Sequence, residues 1–326
     1  MIKSKKGYCT VLVILISSQL SVSGQDSSLI AKKLSVLLSQ REMFSVTYMQ
    51  NGAYGYHFEN DKNEGTAKIN SNYSMHLTGN LPVYVSKSKK VIATAGVNFF
   101  RTWYETGDLI IPDAYQDIRN EFAYTTIQND YISITPGLMY RFSLFGKPAI
   151  TLGRINIYGN DLADISGVSF LGLFNVYLKD EKDETFGLGL GVSRLNESQI
   201  IPFPLISYNK KLNYNFYFNM MLPHNAHFIY RPDKKMNAKV GFYLDRFAVL
   251  HDPRVNGQSE LQLKDIAVFN HVSVSRKLYK ALWIRGRVGH KIIFRSDFSN
   301  MNDGEVVSTN KPFNYFMGEV SFSIQF

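Results

Sequence analysis

Alternation of period two runs through most of this chain. In LNYNFYFNMML (212–222), Leu212, Tyr214, Phe216, Phe218, Met220 and Leu222 fall on one side of an extended strand. Asn213, Asn215, Tyr217 and Asn219 fall on the other. AKINSNYSMHL (67–77) sets Ala67, Ile69, Tyr73, Met75 and Leu77 against Lys68, Asn70, Asn72, Ser74 and His76. TFGLGLGVS (185–193) alternates large apolar residues with Gly187, Gly189, Gly191 and Ser193. NAKVGFYLD (237–245) opposes Ala238, Val240, Phe242 and Leu244 to Asn237, Lys239, Gly241, Tyr243 and Asp245. LWIRGRVGHKIIF (282–294) opposes Leu282, Ile284, Val288, Ile292 and Phe294 to Trp283, Arg285, Arg287 and Lys291. An aromatic-rich face backed by an amide- and cation-lined face predicts strands with one side toward lipid and the other toward a lumen.

Fourteen such runs are predicted, near residues 43–58, 66–86, 91–104, 122–143, 148–158, 165–178, 185–195, 200–208, 211–222, 225–231, 236–250, 262–276, 281–295 and 312–326. The connections alternate in kind. One set is short and mostly basic: SKSKK (86–90), LFGKP (144–148), NKK (209–211), RPDKK (231–235) and RKLYK (276–280), with KDEKDE (179–184) of mixed charge. The other is longer and often acidic, as in ENDKNEG (59–65), ETGDLIIPDAYQD (105–117) and SNMNDGEV (299–306). Outer-membrane barrels pair short periplasmic turns with longer external loops, and an even strand number returns both ends to the periplasmic side. The expected fold is therefore all-β: a transmembrane antiparallel up-and-down β-barrel of about 14 strands over 43–326, its interior lined by small polar residues, Asn, Lys and Arg. Trp103, Tyr104, Phe142 and Phe145 are expected in its aromatic girdles.

The chain ends add an address. Lys3, Lys5 and Lys6, the apolar TVLVILI (10–16) and the small residues of SVSGQ (21–25) read as a cleavable signal peptide over 1–24. Residues 25–42 are expected to form a periplasmic lead-in or short plug, since LIAKKLSVLLSQRE (29–42) has helix-like spacing. The closing GEVSFSIQF (318–326) alternates Val320, Phe322, Ile324 and Phe326 with Ser321, Ser323 and Gln325, and stops on an aromatic. It resembles the C-terminal strand of outer-membrane barrels, which implies that Phe322, Ile324 and Phe326 carry the signal read by the barrel-assembly machinery.

Composition narrows the chemistry. The single cysteine, Cys9, lies in the predicted signal segment, so the mature chain has neither disulfides nor a Cys-based metal site. Without the three signal lysines the chain carries 36 − 3 = 33 basic against 27 acidic residues, so its net charge is +6. This charge is scattered over short turns, a poor match to a nucleic-acid surface. Expected partners are outer-membrane lipid and lipopolysaccharide, and no oligomeric state follows from the pattern.

LPHNAHFIYRPDKK (222–235), PVYVSKSKK (82–90) and IIPFPLISY (200–208) resemble a family of outer-membrane β-barrel proteins of Bacteroidota known only as a domain of unknown function, porin-like in character. The resemblance implies a barrel and an outer-membrane address; it brings no activity, cofactor or catalytic residue with it.

Three constellations bear on chemistry. His271, Ser273 and Ser275 share a strand face, and a His-x-Ser pair resembles the dyad of outer-membrane lipid A deacylases. That dyad needs an orienting carboxylate, and the pair falls toward the periplasmic end facing the bore, far from outer-leaflet acyl chains. His224 and His227, read as loop histidines, lack a third ligand for zinc. Arg285, Arg287 and Lys291 form an inward cationic ladder that favours anions, unless carboxylates such as Asp245 and Asp265 neutralise it. The lumen-lining candidates are thus Arg285, Arg287, Lys291, Lys68, Lys239, Asn213 and Asn215; no catalytic, metal or cofactor site is assigned. The function expected is a passive channel or transport barrel for small solutes. The alternative is a closed barrel acting as a structural or adhesion element or as a lipid-modifying enzyme.

Overall fold

The computed structural model describes residues 42–60, 63–110, 126–159, 165–194, 200–251, 261–300, 306–312 and 314–325. The predicted signal peptide, nearly all of the predicted lead-in and Phe326 lie outside the described residues.

Sixteen strands form one antiparallel sheet. They are β1 (Glu42–Asn51), β2 (Tyr54–Asn60), β3 (Asn63–Val85), β4 (Val91–Ile110), β5 (Thr126–Leu144), β6 (Lys147–Gly159), β7 (Ile165–Asp180) and β8 (Glu184–Arg194), followed by β9 (Ile201–Lys211), β10 (Phe216–Leu222), β11 (Asn225–Tyr230), β12 (Met236–His251), β13 (Leu261–Tyr279), β14 (Leu282–Asn300), β15 (Val306–Pro312) and β16 (Tyr315–Gln325). Both β1 and β2 pair with β3, and both β15 and β16 pair with β14. Each couple is therefore one stave broken in the middle, and the sheet has fourteen staves. Pairing of β1 with β16 and of β2 with β15 joins the last stave to the first. The result is a closed up-and-down barrel in which every stave has a neighbour on both sides, the arrangement by which a sheet answers the backbone hydrogen-bonding demand of hydrocarbon.

Alternation dictates which side chain faces where. On β16, Tyr315, Met317, Glu319, Ser321 and Ser323 are buried inside, whereas Phe316, Val320 and Phe322 are exposed outside. On β8 the glycines face inward and Leu188, Leu190 and Val192 outward. The outer surface is a continuous apolar band of Ile134, Leu138, Leu190, Phe228, Val240, Val272, Val288 and their like, as a membrane-spanning barrel requires. The short turns lie at the end that holds Glu42 and Gln325. At the β5–β6 turn, Phe145 and Gly146 both take positive φ, 50° and 76°, as a two-residue hairpin of the mirror-image type needs. Phe145 is thus a turn residue directly beyond the end of β5. Of the other girdle candidates, Trp103 stacks on Tyr73 at 5.2 Å, and Phe142 stacks between Tyr140 and Phe174. The side chain of Tyr104 lies outside the described residues.

Two sequence expectations are corrected. Residues 212–215 do not extend the strand downward: Asn213 Oδ1 accepts hydrogen bonds from the backbone N–H of Asn215 and Phe216, closing a turn before β10 begins. Asn213 and Asn215 are therefore turn residues, not lumen lining. The acidic segments beyond the barrel's far end are shorter as loops than expected, because β3 and β4 run 23 and 20 residues and carry residues 63–65 and 105–110 in strand.

Candidate functional site

The interior is not uniformly polar. Met139, Leu152, Leu173, Phe203, Leu205, Met221, Ile229 and Phe269 all point inward and are buried, with Phe269 at 0% and Leu205 at 1% exposure. This apolar belt corrects the expectation of a lumen of small polar and cationic groups alone. Alternation reports only that two faces differ, and on β9 (IPFPLISYNKK) both faces are apolar over most of their length. The glycines of β8 make room for the belt: a Cβ on Gly191 would stand 2.1 Å from the Phe203 ring, and one on Gly187 would stand 2.7 Å from Ser207 Oγ.

The barrel is also pinched. Fourteen staves about 4.8 Å apart and tilted by about 40° would enclose a round cylinder roughly 28 Å across. Yet β5 and β12, seven staves apart and hence opposite each other, come within 8 Å between Cα atoms. A flattened section lets side chains from opposite walls exclude water, which is why residues as large as Phe269 are fully buried inside.

One part of the wall is low. Strands β10 and β11 have seven and six residues, and their connection is only Pro223 and His224. At about 3.3 Å per residue and a tilt of about 40°, seven residues rise roughly 18 Å, short of an apolar band of about 25 Å. Above the hairpin, among the described residues, Ile201–Leu205 of β9 pair with β8 alone. Likewise Asp245–His251 of β12 pair with β13 alone; the last bond to the hairpin is Leu244 N–H to His224 O, 2.6 Å. Pro202 and Pro204 fall on this unpaired stretch of β9. A strand accepts proline where the missing N–H would have faced an edge, and here the edge is internal to the barrel wall.

The cationic ladder lies on the wall nearest the chain ends. Arg285 and Arg287 face inward from β14, but each is engaged. Arg285 Nη1 donates to Glu42 Oε1 at 2.7 Å, and its Nε lies 3.3 Å from Glu319 Oε1. Arg287 Nη1 lies 3.1 Å from Glu319 Oε2 and 3.3 Å from the Tyr243 hydroxyl, with its guanidinium 5.3 Å from that ring. The carboxylates beside Arg285 and Arg287 are thus Glu42 and Glu319, contributed by the first and last staves, and the side chain of Asp245 lies outside the described residues. Lys291 is buried on the same strand, 5.8 Å from the Tyr315 ring. Lys239 faces inward from β12, opposite Ser273. Lys68 pairs with Gly55 in β3, and its side chain lies outside the described residues.

The histidine constellations take a different form from a catalytic dyad. His271 Nδ1 sits 3.5 Å from Phe269 O, and the Ser273 hydroxyl has no hydrogen-bond partner, so His271 and Ser273 are not coupled. His227 is a strand residue of β11 facing inward, with its ring 5.2 Å from that of His271; His224 sits in the turn against Phe203. Among the described residues no three His, Cys, Asp or Glu side chains gather as a metal site.

No family model matches the chain, and none of the curated proteins matches it. Solved structures with a similar trace include an outer-membrane channel from Pseudomonas putida F1 (9% identity, 87% of this chain and 94% of that chain covered, TM-score 0.40). A deletion mutant of the TodX monoaromatic hydrocarbon channel (9%, 87% and 91%, 0.37) and a FadL homologue from Pseudomonas aeruginosa (8%, 87% and 90%, 0.36) are further examples. At such identities and TM-scores these likenesses identify no relative, and the barrel stands on its own strand pairing.

Proposed function

We propose that this chain is an outer-membrane transport barrel that passes small, largely apolar solutes along a narrow path rather than through a wide aqueous pore. The observation that carries the reading is the low wall above β10 and β11, flanked by unpaired backbone of β9 and β12 and backed by the inward apolar belt. A barrel serving only as a rivet in the membrane gains nothing from unpaired backbone at membrane depth, where each such group costs several kcal/mol. Unpaired backbone is tolerated there only where it borders a cavity or passage, and the belt supplies the apolar lining of one. The side chains of Phe203, Leu205 and Met221 lie on the inner face beside this gap and would meet a solute first.

Reconstitution tests the proposal. The mature chain in liposomes is expected to speed entry of a small apolar probe such as toluene relative to empty liposomes, while planar bilayers show no large constant conductance. Entry no faster than in empty liposomes would overturn transport. A steady conductance of open-porin size would overturn the narrow path.

A further inference from the structure

We infer that Lys239, Ser273 and Arg287 form an internal oxyanion-binding site that takes the carboxylate or phosphate monoanion of a small solute. The inference deepens the transport reading above and rests on it, since it treats the interior as a place a solute reaches.

The three residues are consecutive cross-strand partners. Lys239 of β12 pairs with Ser273 of β13, and Ser273 pairs with Arg287 of β14, so they stand in one row on the inner face. Neighbouring positions in such a row set Cβ atoms about 4.5–5.5 Å apart, which spaces an ammonium, a hydroxyl and a guanidinium around one small anion. Next in the row beyond Lys239 is Ile229 of β11, an apolar neighbour for the body of such a solute.

Two polar atoms of the row lack a hydrogen-bond partner. The Ser273 hydroxyl is 2% exposed and has no hydrogen-bond partner, and Arg287 Nε is buried without one. Charge points the same way. Glu42 and Glu319 answer Arg285 and Arg287, and Lys239 stands beside them as a further positive charge. Among the described residues no carboxylate lies within 4.0 Å of Lys239. A buried unpaired charge is costly, and one monovalent oxyanion both neutralises it and satisfies the hydroxyl. Arg285 and Arg287, held by Glu319, are fixed in place beforehand, so little ordering is needed on binding.

The test is equilibrium binding by the folded full-length mature chain in detergent at low chloride, followed by calorimetry. The probes are sodium benzoate, inorganic phosphate and uncharged benzyl alcohol. Saturable binding of benzoate, of phosphate or of both is expected, and says which oxyanion the site prefers; benzyl alcohol is expected to bind at least tenfold more weakly than benzoate. Lys239→Met and the gentler Lys239→Gln should weaken the preferred anion at least tenfold, Ser273→Ala severalfold, and Lys182→Met in the β7–β8 turn not at all. Absence of saturable binding for both anions overturns the site, as does unchanged affinity in Lys239→Gln. Binding that survives Lys239→Gln but falls in Arg141→Met would place the anion on the opposite wall and overturn the assignment equally. Because binding is read without any membrane to cross, its failure is distinct from a failure of transport.

Discussion

The Arg285 guanidinium donates to Glu42 across 2.7 Å, joining the strand that opens the barrel to the one that precedes its final stave. Their side chains are only 8% and 10% exposed. Removing one partner of a buried pair leaves an uncompensated charge, at a cost of about 3–5 kcal/mol. Glu42→Gln is therefore expected to destabilise the barrel by about 3 kcal/mol in denaturant titrations followed by heat-modifiable gel mobility. The double change Glu42→Leu with Arg285→Met should cost clearly less than Arg285→Met and Glu42→Gln added together.

Packing against the glycine stripe gives a second expectation. Because a Cβ on Gly191 would meet the Phe203 ring, Gly191→Ala should destabilise by about 1–3 kcal/mol, the usual range for overpacking. Phe203→Ala in the same chain should recover much of that loss. Strict additivity of the two would show that the ring does not occupy this space.

The inward apolar belt predicts an effect on permeation. Truncating Phe203 and Leu205 together to Ala removes two large side chains from the inner face, and conductance in planar bilayers is expected to rise well above that of the unaltered barrel. An unchanged trace, with folding intact, would place the constriction elsewhere.

The outward face can be mapped by charge. Val272 is 52% exposed on the outer side of β13 and stands well above the turn at Lys280, whereas Leu278 lies beside that turn. Val272→Arg should cost about 2–4 kcal/mol in lipid vesicles and Leu278→Arg about 0–1 kcal/mol, following depth in the bilayer. Equal costs at both positions would mean that hydrocarbon does not contact this face.

Much of the barrel was legible because a period of two is a local property. The predicted run at 225–231 became Asn225–Tyr230, and that at 281–295 became Leu282–Asn300. Residues 212–215 misled because Leu212 and Tyr214 continue the alternation in kind, while a side-chain bond from Asn213 turns the backbone. The apolar belt was hidden because Phe203 and Leu205 alternate with Pro202, Pro204 and Ile206, so neither face of β9 looks wet. The partners of Arg285 and Arg287 were out of reach for another reason. Glu42 lies 243 residues away from Arg285 in sequence, and only closure of the ring, which sets β1 against β16, brings it within reach of β14. The Lys239–Ser273–Arg287 row likewise depends on register across three strands, which no single segment encodes.

The brevity of β10 and β11 also bears on what surrounds the barrel. A wall some 7 Å lower than a typical hydrocarbon layer forces adjoining lipid tails to shorten or splay on that flank, while the opposite flank, with β3 and β4, imposes no such compression. The belt of lipid is therefore lopsided, and mismatch relief would favour a neighbour with an equally low side settling against this face.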